Sequence, residues 1–137
     1  MNEREIIQAL QTATINAVDA SIMPFIPVAY LGRTFEPPND DRWLEIVHIP
    51  NNVIGQFWAD GKTYRGLYRL VLHWGLDDAG AYEPLDVLAS IMVGFPKGSI
   101  FQNGSVSVKI YDEPDLTGVI EASPATLYPV TIRYMTQ

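Results

Sequence analysis

Hydrophobic and polar positions alternate most regularly between Tyr64 and Trp74. Tyr64, Tyr68, Leu70, Leu72 and Trp74 fall on one almost wholly apolar side, while Arg65, Arg69 and His73 punctuate the other side between Leu67 and Val71. Strict period two over this length predicts a β-strand with its apolar side in a core. The second side is amphipathic. Leu67 and Val71 set between arginines suit a surface covered by another protein layer, which points to an assembly subunit; a helix of the same chain over that side is the alternative.

The remaining elements are arranged around this strand. Glu3–Ser21 reads as an amphipathic helix, with Asn2 and Glu5 placed for a capping box and Ile6, Ile7, Leu10, Ala13, Ala17 and Val18 at helical spacing; Pro24 ends it. Val28–Leu31 is a short strand candidate, and Glu36-Pro-Pro-Asn-Asp-Asp41 is a loop by composition. Trp43–Ile49 is strand-like, with Pro50-Asn-Asn52 expected to stop it. Tyr82–Val93 returns to helical periodicity. Pro84 lies in its first turn, Leu85, Leu88, Ile91 and Met92 form its apolar stripe, and Gly94 and Pro96 close it. Asn103-Gly104 is a hairpin signal between Ser99–Gln102 and Ser105–Tyr111, the latter turning Val106, Val108 and Ile110 inward. Asp112–Asp115 is a turn, Val119–Ala122 can pair briefly, and Leu127–Met135 is the last strand, where Pro129 argues for an edge or unpaired position. The expected fold is a single α+β domain over 1–137: a two-layer sandwich in which a mostly antiparallel sheet of about four to six strands carries two helices on one face.

The Val53–Thr63 connection carries Phe57 and Trp58 among turn residues. Two large aromatics in a loop have little local core to enter. Either the loop folds back and Trp58 plugs the core, or it projects as an arm whose tip docks on a neighbouring chain.

Composition narrows the function. Nine basic against sixteen acidic residues give a net charge of −7, with the arginines dispersed, which argues against a protein that grips phosphate backbones. An acidic surface would instead let nucleic acid pass. With no cysteine there is no disulfide framework, thiolate nucleophile or Cys-ligated zinc, and a reducing cytosol suits the chain. The charged N-terminus and the prolines that break Ile22–Leu31 leave neither a signal peptide nor a membrane span to be expected.

Candidate chemistry is sparse. His48 and His73 lie on separate strands without the spacing of a metal motif. No nucleophile elbow or Ser-x-x-Lys pair is present, and Gly94-Phe-Pro-Lys-Gly98 puts a proline where a phosphate cradle needs a donor. Asp77-Asp78 and the group Asp112, Glu113 and Asp115 are the carboxylate clusters; each reads as a solvated turn, or as a weak hydrated-ion site between subunits. No catalytic residue, cofactor or resident metal is expected.

The opening helix, the Pro-rich passage, Glu45-Ile-Val-His-Ile-Pro-Asn51, Tyr64-Arg-Gly-Leu-Tyr-Arg-Leu-Val-Leu72, Phe95-Pro-Lys-Gly-Ser-Ile-Phe101 and Tyr128-Pro-Val-Thr-Ile-Arg-Tyr134 together resemble the tail terminator-like proteins of long-tailed bacteriophages, from about Ile6 to Tyr134. The resemblance implies a non-enzymatic virion protein of the tail and neck, assembled in the host cytoplasm. It implies a ring, hexameric in the family, that caps the head-proximal end of the tail tube, stops its growth and offers a face to the head connector. The implied partners are further copies of the chain, the tail tube protein and a head-completion or connector protein, with genomic DNA passing unbound through the lumen and no membrane involved. From the residues themselves, Phe57, Trp58, Arg65, Leu67, Arg69, Asp77 and Asp78 are the candidate interface positions. Another neck or head-completion subunit, a small metal-dependent hydrolase using His48, His73 or Asp78, and a small-ligand module built on the seven tyrosines and three tryptophans are the competing readings.

Overall fold

A computed structural model describes residues 3–55, 62–75, 82–122 and 125–136. Its core arises where the even-numbered strand positions meet the inward stripes of two helices. Helix α1 (Glu3–Asp19) contributes Ile6, Leu10, Ala13, Thr14, Ala17 and Val18, all buried; Ile7 is only half-buried. The helix stops before Pro24, and Ile26 N–H closes a turn onto the Met23 carbonyl. Asn2, its expected cap, lies outside the described residues. Helix α2 (Tyr82–Met92) buries Pro84, Val87, Leu88 and Ile91. Here the sequence expectation needs correcting: Leu85 is not in the inward stripe but lies 36% exposed. Gly94, just past the end of α2, lets the helices approach, since a Cβ there would stand 2.5 Å from that of Ala17.

The strands are β1 (Val28–Ala29), β2 (Trp43–Gly55), β3 (Lys62–Gly75), β4 (Ile100–Asn103), β5 (Val106–Ile110), β6 (Asp115–Leu116), β7 (Ile120–Ala122) and β8 (Ala125–Thr136). They form one sheet with the path β1-β2-β3-β8-β5-β4, while β6 and β7 also pair with β8. Only the β1–β2 pair is parallel among these ladders. The architecture is therefore α+β, with a mostly antiparallel sheet whose one face carries the helices. Tyr68, Leu70, Leu72 and Trp74 on β3 are buried in this core with Leu44 and Ile46 of β2, Val106, Val108 and Ile110 of β5, and Tyr128, Val130, Ile132 and Tyr134 of β8.

Two local expectations change, and a third resolves between its alternatives. Strand β2 does not end at Pro50. It continues to Gly55 through a register shift between Pro50 and Val53, a bulge being where a strand tolerates proline. Of the two positions expected for Pro129, an edge or an unpaired one, the structure gives the second, inside β8 with β3 on one side. Its carbonyl accepts from Thr117 N–H at 3.0 Å, between β6 and β7, and in a strand the nitrogen of a residue faces the same side as its carbonyl. The missing donor thus falls in the gap between two short strands, where no ladder bond is lost. The β4–β5 turn is centred on Gly104-Ser105, one residue later than expected, because Asn103 pairs with Val106. Gly104 supplies the positive φ of 63° at the first turn position, and the displaced Asn103 side chain instead donates to the Glu5 carbonyl and Gln8 Oε1 of α1.

Candidate functional site

Period two places Arg65, Leu67, Arg69, Val71 and His73 on the face of β3 opposite the helices. Register then determines their neighbours. Lys109 of β5, Met135 of β8 and Arg65 form one cross-strand row. Arg133, Leu67 and Ile49 form the next, followed by Thr131, Arg69 and Val47. Farther along, His73 stacks on Trp43 with ring centroids 3.7 Å apart and reaches Glu45 at 3.2 Å. Phe35 from the preceding loop lies against the other side of Trp43 at 4.8 Å. This open face is thus basic at one end and aromatic at the other, with apolar side chains between.

Its polar groups are only partly engaged. Arg133 pairs with Asp115 at 3.0 Å, Arg69 Nε donates to Thr131 Oγ1 at 3.4 Å, and the Arg65 guanidinium lies 5.9 Å from the Tyr111 ring centroid. Among the described residues no carboxylate forms an ion pair with Arg65, Arg69 or Lys109. Val71 and Thr131 are nonetheless buried, Thr131 beneath the Arg69 side chain, while Ile49 stays 39% exposed and Leu67 half-buried. Neither α1 nor α2 covers this side, because both belong to the core on the other.

Strands β2 and β3 run on beyond this face. Their ladder continues through Val53–Tyr64, Ile54–Thr63 and Gly55–Lys62, whereas the β3–β8 ladder begins only at Arg65–Met135. The hairpin therefore extends past the end of β8, where Tyr64 N–H donates to Thr136 Oγ1 at 2.8 Å. Phe57 and Trp58, and likewise Asp77 and Asp78, lie outside the described residues. The sequence places the aromatic pair between the two strands of this hairpin.

Of the candidate interface positions, the structure brings Arg65, Leu67 and Arg69 onto one surface and adds Lys109, Arg133 and Met135, which sequence reasoning did not group with them. The signal existed as odd-numbered positions on three strands, but only the register joins them. The two histidines are separated. His48 faces the helix side and binds Tyr134 Oη at 2.5 Å, while His73 faces the open side. Among the described residues no group of three or more His, Cys, Asp or Glu side chains could hold a metal. Asp112 accepts from Glu113 N–H and Asp115 is engaged by Arg133, so two of the three carboxylates of the Asp112–Asp115 segment are engaged within the chain.

Two clefts bear on the small-ligand alternative. One of about 550 Å³, between α1 and β4, is open and lined largely by Gln8, Gln11, Thr12, Asn16 and Asn103. A more apolar notch of about 200 Å³ between α1 and α2, bounded by Ala17, Val93 and Phe101, is smaller than the roughly 300–1,000 Å³ typical of ligand pockets. Tyr68, a strongly shifted titrating group, is a core residue. Burial holds its phenol well above the ordinary tyrosine range, and its hydroxyl meets Thr14 Oγ1 at 2.7 Å, which in turn donates to the Leu10 carbonyl. Such a group braces a helix against a sheet.

A small α+β domain with a helix-free sheet face and an extended hairpin has the kind of open surfaces through which assembly proteins meet their neighbours. The chain belongs to the phage tail terminator protein family, which it matches over residues 5–134. It is thus a structural component of a phage tail. One solved structure shares the fold, with a TM-score of 0.82 and 22% identity, covering 100% of this chain and 96% of its own. No curated protein matches the chain. Among the described residues no helix is long and apolar enough to cross a membrane.

Proposed function

We propose that this protein assembles into a ring, six-membered as the family resemblance implies, that caps the head-proximal end of the tail tube, ends tube polymerisation and presents the surface to which the head is joined. Membership of the tail terminator family carries this reading. What supports it is a helix-free sheet face that sets cations, without an ion-pair partner among the described residues, beside apolar side chains, and a hairpin that extends past the end of β8. A closed ring needs two different, complementary surfaces on each subunit, and the open sheet face on one side and the helix layer on the other provide them. In this reading the protein acts stoichiometrically and no bond is made or broken. The net charge of −7 suits a lumen through which DNA moves without sticking, provided the cationic face is turned away from it.

The direct test is polymerisation of tail tube protein with and without this chain. Added protein is expected to halt elongation, leaving tubes with a ring at one end only. Unchanged tube growth, with the protein instead completing DNA-filled heads, would move the assignment to a head-completion subunit.

A further inference from the structure

Two surfaces on opposite sides of the molecule are complementary in charge and in kind. The open face presents Arg65, Arg69 and Lys109 around Leu67 and Met135. On the far side of the core, the outward side of α2 carries Tyr82, Leu85 and Ala89 at helical spacing, with Val93 directly after its last residue, and exposures of 82% at Tyr82 and 76% at Val93. The acids of α2, Glu83 and Asp86, are exposed on the same helix, which contains no basic residue, and Asp77 and Asp78 precede it in sequence. An exposed apolar stripe flanked by acids is unusual for a surface left in water and matches a face where apolar side chains are flanked by arginines.

We propose that the open sheet face of one copy receives the outward side of α2 from the next copy, so that Glu83 and Asp86 meet Arg65 and Arg69 over a seam of Leu85, Val93, Leu67 and Met135. The contact is front to back, between different surfaces, and so propagates from copy to copy as ring closure requires. This inference rests on the ring reading and names its interface. It also accounts for the fate of the cations: a neighbour's helix covers them, which keeps them out of the lumen.

Charge exchange tests it. Light scattering across a concentration series would compare the wild type with Arg65→Glu/Arg69→Glu, with Glu83→Arg/Asp86→Arg, and with all four changes combined, circular dichroism confirming that each is folded. Each double reversal is expected to raise the half-assembly concentration by roughly tenfold or more, and the four-fold variant, like an equimolar mixture of the two doubles, to recover assembly. If the introduced Glu residues disturb folding, Arg65→Gln/Arg69→Gln removes the cations without adding an anion and is expected to weaken assembly in the same direction. Assembly unchanged by either double reversal, or no recovery in the combination, overturns the interface while leaving the ring. Normal assembly with loss of tube capping alone assigns the open face to the tube protein and likewise overturns it. A wild type that stays monomeric both alone and on tubes defeats the ring reading, and this interface with it.

Discussion

The two faces of β3 belong to one strand yet are built to different rules. On the helix side, Tyr68, Leu70, Leu72 and Trp74 are buried against α1, α2 and the inward rows of β2 and β8, and the Tyr68 hydroxyl is satisfied through Thr14. On the other side Arg65 is exposed, Leu67 and Arg69 are half-buried, and neither helix lies over them. The first face is finished within the chain and sets its stability. The second has apolar area and cations in surplus over what the described residues match, and in the proposed ring it is the face that meets a neighbour.

Substitutions on the two faces should separate those roles. The largest effect is expected for Leu70→Ala, which leaves a cavity in the closed core and should lower unfolding free energy by about 2–5 kcal/mol in urea titration. Leu67→Ala, three residues away on the open face, should cost the monomer less than about 1 kcal/mol while weakening assembly. Equal losses for the two would erase the distinction. Next is Gly66→Ala. Its new Cβ would stand 2.5 Å from Tyr134 Oη and 2.8 Å from Cζ, and Tyr134 is fully buried and bound to His48, so it cannot swing aside. About 1–3 kcal/mol should be lost, read as a lower melting temperature.

A smaller change is expected for Tyr68→Phe, about 1 kcal/mol, because Thr14 keeps its bond to the Leu10 carbonyl and loses only the phenol. The same tyrosine gives the closed face a pH dependence. Burial raises its folded pKa, so its contribution is complete below the unfolded tyrosine value of about 10 and falls as pH rises above it, since the unfolded chain ionises first. Tyr68→Phe should flatten that alkaline decline. The smallest effect on the monomer is expected for Phe57→Ser/Trp58→Ser, at the hairpin connection. Folding by circular dichroism should be unchanged while assembly weakens, whereas loss of the folded signal would place the pair in the core.

Much of this division could be read from residue order, because period two and period 3.6 are local properties. The alternation of β3, the bounds of α2 and the inward set Val106, Val108 and Ile110 follow from side-chain spacing alone. What was misjudged depends on partners. Pro50 looks like a strand terminator until a bulge removes the need for its donor, and which of its two expected positions Pro129 takes, an edge or an unpaired one, depends on the gap between β6 and β7. Leu85 looks like core because helical spacing identifies a stripe but not the side that meets the sheet. At the candidate site, Arg65, Leu67 and Arg69 were legible as one strand face, whereas Lys109 and Arg133 join them only through the β5–β8–β3 register, a non-local fact.

Electron microscopy of the purified protein, alone and mixed with tail tubes, addresses the central claim most directly. The account predicts closed rings of a fixed subunit number, seated at one end of each tube. Particles that remain single chains and leave both tube ends bare would contradict it.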